Sequence, residues 1–345
     1  MSDPLPLAAL TTLRLGGPPR RLVSATTTEE LVAAVSSADE ADEQVLLVAG
    51  GSNLVVGDAG VDATVVQVAT RGVLEEVDAC AGAVVTVAAG EVWDDLVATA
   101  VERGWLGVEA LSGIPGSVGA TPVQNVGAYG QEVADTIASV RCWDRVERAY
   151  RTIAAADCGF GYRTSRFKRD PGRFVVLEVT FQLRLGDLGA PVRYAELARA
   201  LGVGVGERAP TAAVRETVLG LRRGKGMGLD AEDRDTWSAG SFFTNPVLPA
   251  EAAAALPDEA PRWEQPDGSV KTSAAWLIEH AGFGKGYGNE RVSLSTKHTL
   301  ALTNRGTATT ADLLALAGEV RRGVHARFGV RLENEPVLVG CTIPD

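Results

Sequence analysis

Two glycine-rich segments have residue types suited to binding phosphate through the backbone. The first is AGGSN at 49–53, directly after the apolar run 45–48. The second is GIPGSVG at 113–119, followed by QNVGAYG at 124–130. Glycines let a chain approach a ligand closely, and successive amide N–H groups form a cradle for an anion. Neither segment is GxGxxG and neither has the lysine of a P-loop, so the sequence indicates neither a Rossmann nor a Walker site. Together the segments predict backbone amides that close on one extended anion.

Side chains that could handle a carboxylate and a proton occur farther along the chain. Arg163, in GYRTS, has a guanidinium that can hold a carboxylate with two parallel hydrogen bonds. Ser241 follows a glycine and precedes two phenylalanines, which would present its hydroxyl from a tight, apolar turn. Sequence position alone does not separate Ser241 from Ser238 in this role. Glu335, in ENEP, is a candidate carboxylate, and Glu333 would share its face in an extended chain.

Short strands and helices would hold these loops in place. The pattern over 20–70 predicts strand, helix, strand, loop and strand, with Thr28 as the N-cap of the helix. A further strand over 84–88 precedes apolar residues at helical spacing over 93–101, and Gly104 would end that helix.

The second half of the chain is predicted to contain short strands, a linker and a last long helix. Short β-type runs dominate 137–185, and the Gly- and Arg-rich region 186–235 predicts a linker that leads into a second domain. A last long helix is expected from about Thr310 to Phe328, followed by extended chain over 330–340.

The charge of the chain is acidic and uneven. The net charge of −11 argues against general nucleic-acid binding. Residues 1–150 have a net charge of −13 and residues 151–345 a net charge of +2. A multiply charged anion is therefore expected to bind mainly the C-terminal part.

Cysteine and histidine usage predicts no metal site. The four cysteines are at least 16 positions apart and the three histidines have no HExxH spacing, so neither a zinc site nor a disulfide scaffold is expected. The N-terminus has no basic segment followed by an apolar one, and no apolar run approaches 18 residues. Neither export nor membrane insertion is expected.

Five motifs in a fixed order carry a family resemblance: AGGSN, GIPGSVGATPVQNVGAYGQE, CGFGYRTSRFK, SAGSFFTNP and ENEP. From about Thr11 to Gly340 the chain resembles the UDP-N-acetylenolpyruvoylglucosamine reductases, and CGFGYRTSRFK with VRYAEL is typical of their longer subtype. The resemblance implies an α+β fold, with an FAD-binding fold of the PCMH or vanillyl-alcohol-oxidase type and a C-terminal α+β substrate-binding domain. The implied divisions are two FAD-binding subdomains over 11–70 and 71–205, a substrate-binding domain over 206–329, and a segment over 330–345 that returns to the active site.

The resemblance also implies site residues. Arg163 would hold the substrate carboxylate, Ser241 would protonate C2, and Glu335 would be the catalytic glutamate. The implied cofactor-binding residues are Ala49, Gly50, Gly51, Ser52, Asn53, Gly113, Ile114, Pro115, Gly116, Ser117, Gly119, Gln124, Asn125, Gly127, Ala128 and Tyr129. The implied substrate-binding residues are Tyr194, Lys225 and Asn245, with Arg222 and His298 as weaker candidates.

The implied activity is NADPH-dependent reduction of UDP-N-acetylglucosamine-enolpyruvate to UDP-N-acetylmuramate, in peptidoglycan precursor synthesis. Noncovalent FAD would be the cofactor and NADPH the hydride donor, without a metal, in a cytoplasmic monomer. One alternative is another flavin-dependent oxidase or dehydrogenase acting on a sugar or hydroxy acid. A second is a nucleotide-sensing module without turnover, which would not need Arg163, Ser241 and Glu335 together.

Overall fold

The computed structural model describes residues 5–344. The strands are β1 Pro19–Ala25, β2 Val45–Val48, β3 Leu54–Val56, β4 Val61–Val68, β5 Val73–Asp78, β6 Gly82–Ala88, β7 Trp105–Leu106, β8 Gly127–Ala128, β9 Gln131–Glu132, β10 Ile137–Asp144, β11 Ala149–Ala154, β12 Phe174–Leu185, β13 Val247–Leu248, β14 Arg262–Glu264, β15 Val270–Thr272, β16 Val292–Leu294, β17 Leu302–Asn304 and β18 Val337–Val339. The α-helices are α1 Thr28–Glu40, α2 Trp93–Glu102, α3 Arg166–Arg169, α4 Ala195–Leu201, α5 Thr211–Gly224, α6 Ala250–Ala254, α7 Ala274–His280 and α8 Thr310–Phe328.

The chain forms two compact units. The first unit consists of residues 20–50 and 62–223, and the second consists of residues 5–19, 51–61 and 224–344. Short segments near the N-terminus therefore belong to the same unit as the last third of the chain.

Two sheets organise the first unit. A three-stranded sheet has the order β1-β4-β2, with β2 and β4 parallel. A larger, antiparallel sheet has the order β11-β10-β12-β6-β5, and β7 pairs with the end of β12. The strands predicted over 45–48 and 84–88 are confirmed, and the β-type runs over 137–185 form the centre of the larger sheet.

A capping box and the spacing of apolar residues account for two helices of the first unit. Helix α1 has Thr27 as its N-cap, one residue before the predicted Thr28, because Thr27 and Glu30 form a reciprocal capping box. Helix α2 buries Trp93, Leu96 and Val97 against the larger sheet, as their spacing predicts.

The predicted linker over 186–235 is wrong. Helices α4 and α5 occupy much of it and build a small core from Leu197, Val214 and Val218, all at most 2% exposed. The Gly and Arg content suggested a linker, but these apolar residues provide enough burial to hold two helices in the first unit.

The second unit has its core around α7 and α8. Helix α8 has the predicted bounds, begins at a Thr309–Asp312 capping box, and ends at Gly329 in the left-handed conformation. Strand β18 pairs in parallel with β3, so residues 54–56 lie beside residues 337–339. This pairing brings the end of the AGGSN motif next to the ENEP motif.

No helix within the described part of the chain has the length and apolar character needed to cross a membrane.

Candidate active site

The two predicted phosphate loops contact each other in the first unit. A Cβ atom on Gly50 would lie 2.8 Å from the Cα of Gly116, so neither loop could keep its position with a side chain there. Gly116 has φ of +124°, a conformation that L-residues rarely adopt. The amide N–H groups of Gly50, Ile114 and Gly116 donate to no acceptor within residues 5–344. They are available to an anionic ligand.

A buried hydroxyl supports the same interpretation. The Oγ of Ser117 is inaccessible to solvent and has no hydrogen-bond partner in the described part of the chain. Buried polar groups are almost always paired in native proteins. The hydroxyl at this position therefore fits a bound group that supplies the missing partner.

The loop that contains Gly113 is fixed by charged residues that were not predicted from the sequence. Asp94 accepts the Gly113 N–H at 2.6 Å, and Arg215 holds Asp94 with two bonds of 2.7 and 2.9 Å. The Nε of buried Arg222 donates to the Gly113 carbonyl at 3.0 Å. Arg222, a weak substrate candidate in the sequence, thus supports the loop. Acidic residues in the first turn of α2 were the only sequence signal for this network.

Burial and pairing act in opposite directions on the ionisable groups of this network. Burial raises the pKa of Asp94, but hydrogen bonds from Arg215 and Gly113 outweigh it and hold that pKa below its usual value. Burial lowers the pKa of the Arg222 guanidinium.

The QNVGAYG segment supports Arg163. The Asn125 side chain donates to the Glu132 carboxylate at 2.7 Å and to the Gly161 carbonyl at 3.1 Å, and accepts from the Ala134 amide. Its side-chain groups are therefore engaged with protein, and its bond to Gly161 holds the backbone two residues before Arg163. A Cβ on Gly127 would lie 3.6 Å from Nη1 of Arg163, so the guanidinium lies beside this segment.

Arg163 has an unusual backbone conformation that its neighbours maintain. Its φ is +53°, in the left-handed region that non-glycine residues seldom occupy. The Lys168 ammonium donates to the Arg163 carbonyl at 3.0 Å, and Ser165 caps the N-terminus of α3. Strain held in place by surrounding contacts is typical of functional positions.

In the second unit, Ser241 and Glu335 lie on paired backbone segments. The Glu335 amide donates to the Phe242 carbonyl at 2.9 Å, and Phe243 forms an antiparallel bridge with Asn334. Asn53 joins them, because the Val337 amide donates to its carbonyl at 2.9 Å.

The structure separates Ser241 and Glu335 from their neighbours. Ser238 is buried, and its hydroxyl accepts the Gly240 amide at 3.2 Å, as a turn serine would. Ser241 is half-buried, and its hydroxyl has no hydrogen bond with any residue the structure describes. Glu335 is half-buried, whereas the side chain of Glu333 is 72% exposed.

The remaining predicted binding residues are divided between the units. In the second unit, the Asn245 carbonyl oxygen accepts the Ala274 amide at the start of α7 at 3.0 Å, and Lys225 is half-buried. In the first unit, Tyr194 is 46% exposed and its ring packs edge-on against Tyr129, with 5.7 Å between centroids.

Comparison with known proteins identifies the family. Residues 19–152 match the family described as FAD binding domain, and residues 232–339 match the C-terminal domain of UDP-N-acetylenolpyruvoylglucosamine reductase. The chain is 58% identical to the UDP-N-acetylenolpyruvoylglucosamine reductase of Cutibacterium acnes, over 99% of this chain and 91% of that protein. The chain belongs to the UDP-N-acetylenolpyruvoylglucosamine reductase family.

Two further relatives agree with this membership. The reductase of Streptomyces coelicolor is 58% identical over 98% of this chain and 90% of that protein. The crystal structure of the Thermus caldophilus reductase matches with a TM-score of 0.65 and 27% identity over 97% of each chain. The α+β fold with an FAD-binding part and a family-specific C-terminal domain is thereby confirmed.

A member of the UDP-N-acetylenolpyruvoylglucosamine reductase family is an FAD-dependent oxidoreductase, and the residues present fit that cofactor. Gly50 and Gly116 in close contact, the three amides without protein acceptors and the buried Ser117 hydroxyl are suited to hold a diphosphate. Membership removes the two alternatives left open by the sequence, the sugar or hydroxy-acid oxidase and the sensing module without turnover.

Proposed function

We propose that this protein reduces the enolpyruvyl ether of UDP-N-acetylglucosamine-enolpyruvate to UDP-N-acetylmuramate, with NADPH as the hydride donor. The observation that carries the proposal is the pairing of the Ser241 segment with the Glu335 segment in a chain of this family. The reaction belongs to peptidoglycan precursor synthesis. A cytoplasmic monomer without nucleic-acid partners is part of the proposal.

The reaction places three demands on the protein. A hydride added to C3 of the enolpyruvyl group leaves negative charge at C2 and on the adjoining carboxylate. Hydride transfer from NADPH to C3 is the chemistry that FAD supplies when bound. The chain must then provide a cation for the carboxylate, a proton for C2 and a group that sets the state of the proton donor.

Arg163 suits the first demand. Its guanidinium can form two parallel hydrogen bonds to a carboxylate, and the supports from Lys168 and the QNVGAYG segment fix the backbone that carries it. Held in advance, the cation stabilises developing charge without reorganising during the reaction.

Ser241 and Glu335 suit the other two demands, a proton for C2 and a group that sets the state of the proton donor. The O–H bond of Ser241 breaks as its proton forms a C–H bond at C2, and the reduction of the double bond is then complete. Buried Phe242 and Phe243 make the turn apolar, which excludes water from the donor. The Glu335 amide donates to the Phe242 carbonyl, next to Ser241, and we assign the Glu335 side chain the role of orienting the donor or stabilising the C2 intermediate.

Three further residues are assigned to substrate binding. Lys225 supplies charge for the nucleotide diphosphate, and the Asn245 side-chain NH₂ has no acceptor among the described residues and is available to a phosphate oxygen. Tyr194 presents an exposed aromatic face suited to stacking.

Stopped-flow measurement of the two half-reactions of Ser241→Ala tests the proposal. We expect flavin reduction by NADPH at nearly the wild-type rate, because that step needs no acid. Reoxidation by the enolpyruvyl nucleotide should slow by about 10²–10⁴-fold, the usual contribution of a general acid.

Ser238→Ala is the matched control, since it removes a hydroxyl three positions away that serves the turn. It should lower stability and leave the ratio of the half-reaction rates unchanged. Equal slowing of both half-reactions in Ser241→Ala would show that Ser241 is a structural residue and not the donor.

A further inference from the structure

An open cavity of about 490 Å³ lies in the first unit, away from the glycine-rich loops. It is bordered by the ends of β10 and β12, by β11, and by the short helix α3. Its charged lining residues are Asp144, Arg151, Arg166, Arg169, Asp170 and Arg173. The lining thus has a surplus of two positive charges.

Both carboxylates of the cavity form ion pairs with one arginine, Arg173. The Asp144 carboxylate accepts hydrogen bonds from Nε of Arg173 at 3.1 and 3.2 Å and from Nη2 of the same residue at 2.8 Å. Asp170 is 3.6 Å from Nη1 of the same guanidinium. The Arg173 guanidinium holds the pKa of Asp144 below its usual value. The charged groups of this cluster are therefore paired with one another, and its two carboxylates and one guanidinium have a net charge of −1.

The other arginines have no carboxylate partner. Arg169 donates to the Gly159 carbonyl at 3.0 Å. The side chains of Arg151 and Arg166 make no hydrogen bond or ion pair with any residue in the range 5–344. Two guanidinium groups on separate elements thus border one cavity with their donors available. A guanidinium matches the geometry of phosphate oxygens with two parallel N–H bonds.

The rest of the lining limits the size and kind of ligand. The volume lies within the range of about 300–1,000 Å³ that is usual for small-molecule sites. Ile153 and Phe174 add apolar surface beside the arginines, and Phe174 is fixed by an edge-on contact with Phe167, 5.8 Å between centroids. A charged end and an apolar end are what a phosphorylated metabolite presents.

We propose that this cavity binds a phosphate-bearing anion through Arg151 and Arg166. None of its lining residues belongs to the glycine-rich loops, and none is Arg163, Ser241 or Glu335. The site is therefore separate from the residues assigned to FAD and to the reaction, and the proposal does not depend on the proposed function.

Isothermal titration of the FAD-loaded protein with inorganic pyrophosphate tests the proposal, with chloride added to match ionic strength. We expect saturable binding by the wild type and about 100-fold weaker binding at this site by the double variant Arg151→Gln, Arg166→Gln, because hydrogen bonds to charged groups are the stronger ones. The residues of the FAD and substrate sites are unchanged in this variant, so the heat that it loses belongs to this cavity.

Arg199→Gln is the matched control, since it removes an exposed arginine from α4. It should bind pyrophosphate like the wild type, and all variants should keep the wild-type melting temperature. Repeating the titration with adenosine 5′-diphosphate distinguishes the sources: tighter binding than pyrophosphate indicates a nucleotide that uses the apolar surface, and equal binding indicates the inorganic anion. Undiminished binding by the double variant, or no saturable binding by the wild type, would overturn the proposal.

Discussion

Individual residues of the site differ from their sequence neighbours mainly in burial and pairing. Ser241 and Ser238, or Glu335 and Glu333, cannot be ranked by residue type or spacing. Their surroundings in the structure differ, because Ser238 is used by its own turn and Glu333 is exposed to solvent. Only the family resemblance had favoured Ser241 and Glu335.

The neighbouring glutamates provide a test of the role of Glu335. Glu335→Gln keeps the size of the side chain and removes its charge, so it should slow flavin reoxidation by the enolpyruvyl nucleotide by about 10²-fold or more. Flavin reduction by NADPH should stay near the wild-type rate. Glu333→Gln removes a charge two positions away and should alter neither rate. Equal losses in the two variants would show that the general charge of the segment matters, and not Glu335.

Asp235 connects the segment before Ser241 to Thr296 and Arg305, which lie before and after β17. Its carboxylate is 5% exposed, accepts the Thr296 amide at 3.0 Å and pairs with Arg305 at 2.9 Å. Burial raises the pKa of Asp235, but the hydrogen bonds from Thr296 and Arg305 outweigh it, so the pKa is lowered in the folded protein. A carboxylate with a lowered folded-state pKa stabilises the fold above its unfolded-state pKa, and that contribution is lost as pH falls through the folded-state value.

Asp235→Asn should therefore lower the free energy of unfolding at pH 7, by about 1–3 kcal/mol for a buried partner left unsatisfied. The difference from the wild type should shrink as the pH falls below about 4, where the wild-type carboxyl also becomes neutral. Thermal or urea unfolding from pH 7 to pH 3 measures this. Asp258→Asn, at an exposed position, should follow the wild-type curve. A constant difference at all pH values would contradict the assigned ionisation.

The two glycine-rich loops contact each other so closely that a Cβ atom at Gly50 would displace one of them. Gly50→Ala places a Cβ 2.8 Å from the backbone of Gly116, so one loop must move and the amides no longer face one anion. Purified protein should contain much less flavin, measured by the ratio of visible to 280 nm absorbance. Gly220→Ala is the control: that position has open space on α5, and the variant should keep its flavin and gain about 0.5–1 kcal/mol of stability. Full flavin content in Gly50→Ala would contradict the cradle.

Helices with a strong periodicity of apolar residues could be predicted from the sequence, whereas features fixed by long-range contacts could not. The spacing of Trp93, Leu96 and Val97 and the long pattern of α8 gave helices at the predicted places. Helices α4 and α5 were missed because their apolar residues lie in a region rich in glycine and arginine, a composition that indicated a linker. The support of Gly113 by Asp94 and Arg215 spans 121 positions, a separation that local pattern does not reveal.

The two units are not successive stretches of the chain. The sequence predicted divisions at successive positions, whereas the second unit collects residues 5–19 and 51–61 as well as 224–344. The three-part division of the flavin-binding and substrate-binding regions stays a prediction. The pairing of β3 with β18, about 280 positions apart, is set by tertiary burial and cannot be predicted from the local sequence pattern.

This arrangement predicts that residues 224–345 do not fold alone. The fragment would lack Leu13, Leu15 and Val55, which are 0–4% exposed in the core of the second unit. Burying three such side chains contributes about 5–9 kcal/mol, a large share of the roughly 5–15 kcal/mol by which domains are stable. The fragment would also lose the β3 partner of β18 and the Leu13 carbonyl that accepts from Asn304.

A fragment of residues 20–223 is the matched comparison, since it contains every segment of the first unit, including Gly50 and the loop at 113–119. Calorimetry or circular dichroism should show cooperative thermal unfolding for 20–223 and none for 224–345. Adding residues 5–61 in trans should not rescue the second fragment at micromolar concentration, because association must also offset the lost translational freedom. Cooperative unfolding of 224–345 by itself would contradict this prediction. It would mean that the core of the second unit is complete without the N-terminal segments, and that the family-specific C-terminal domain folds independently of them.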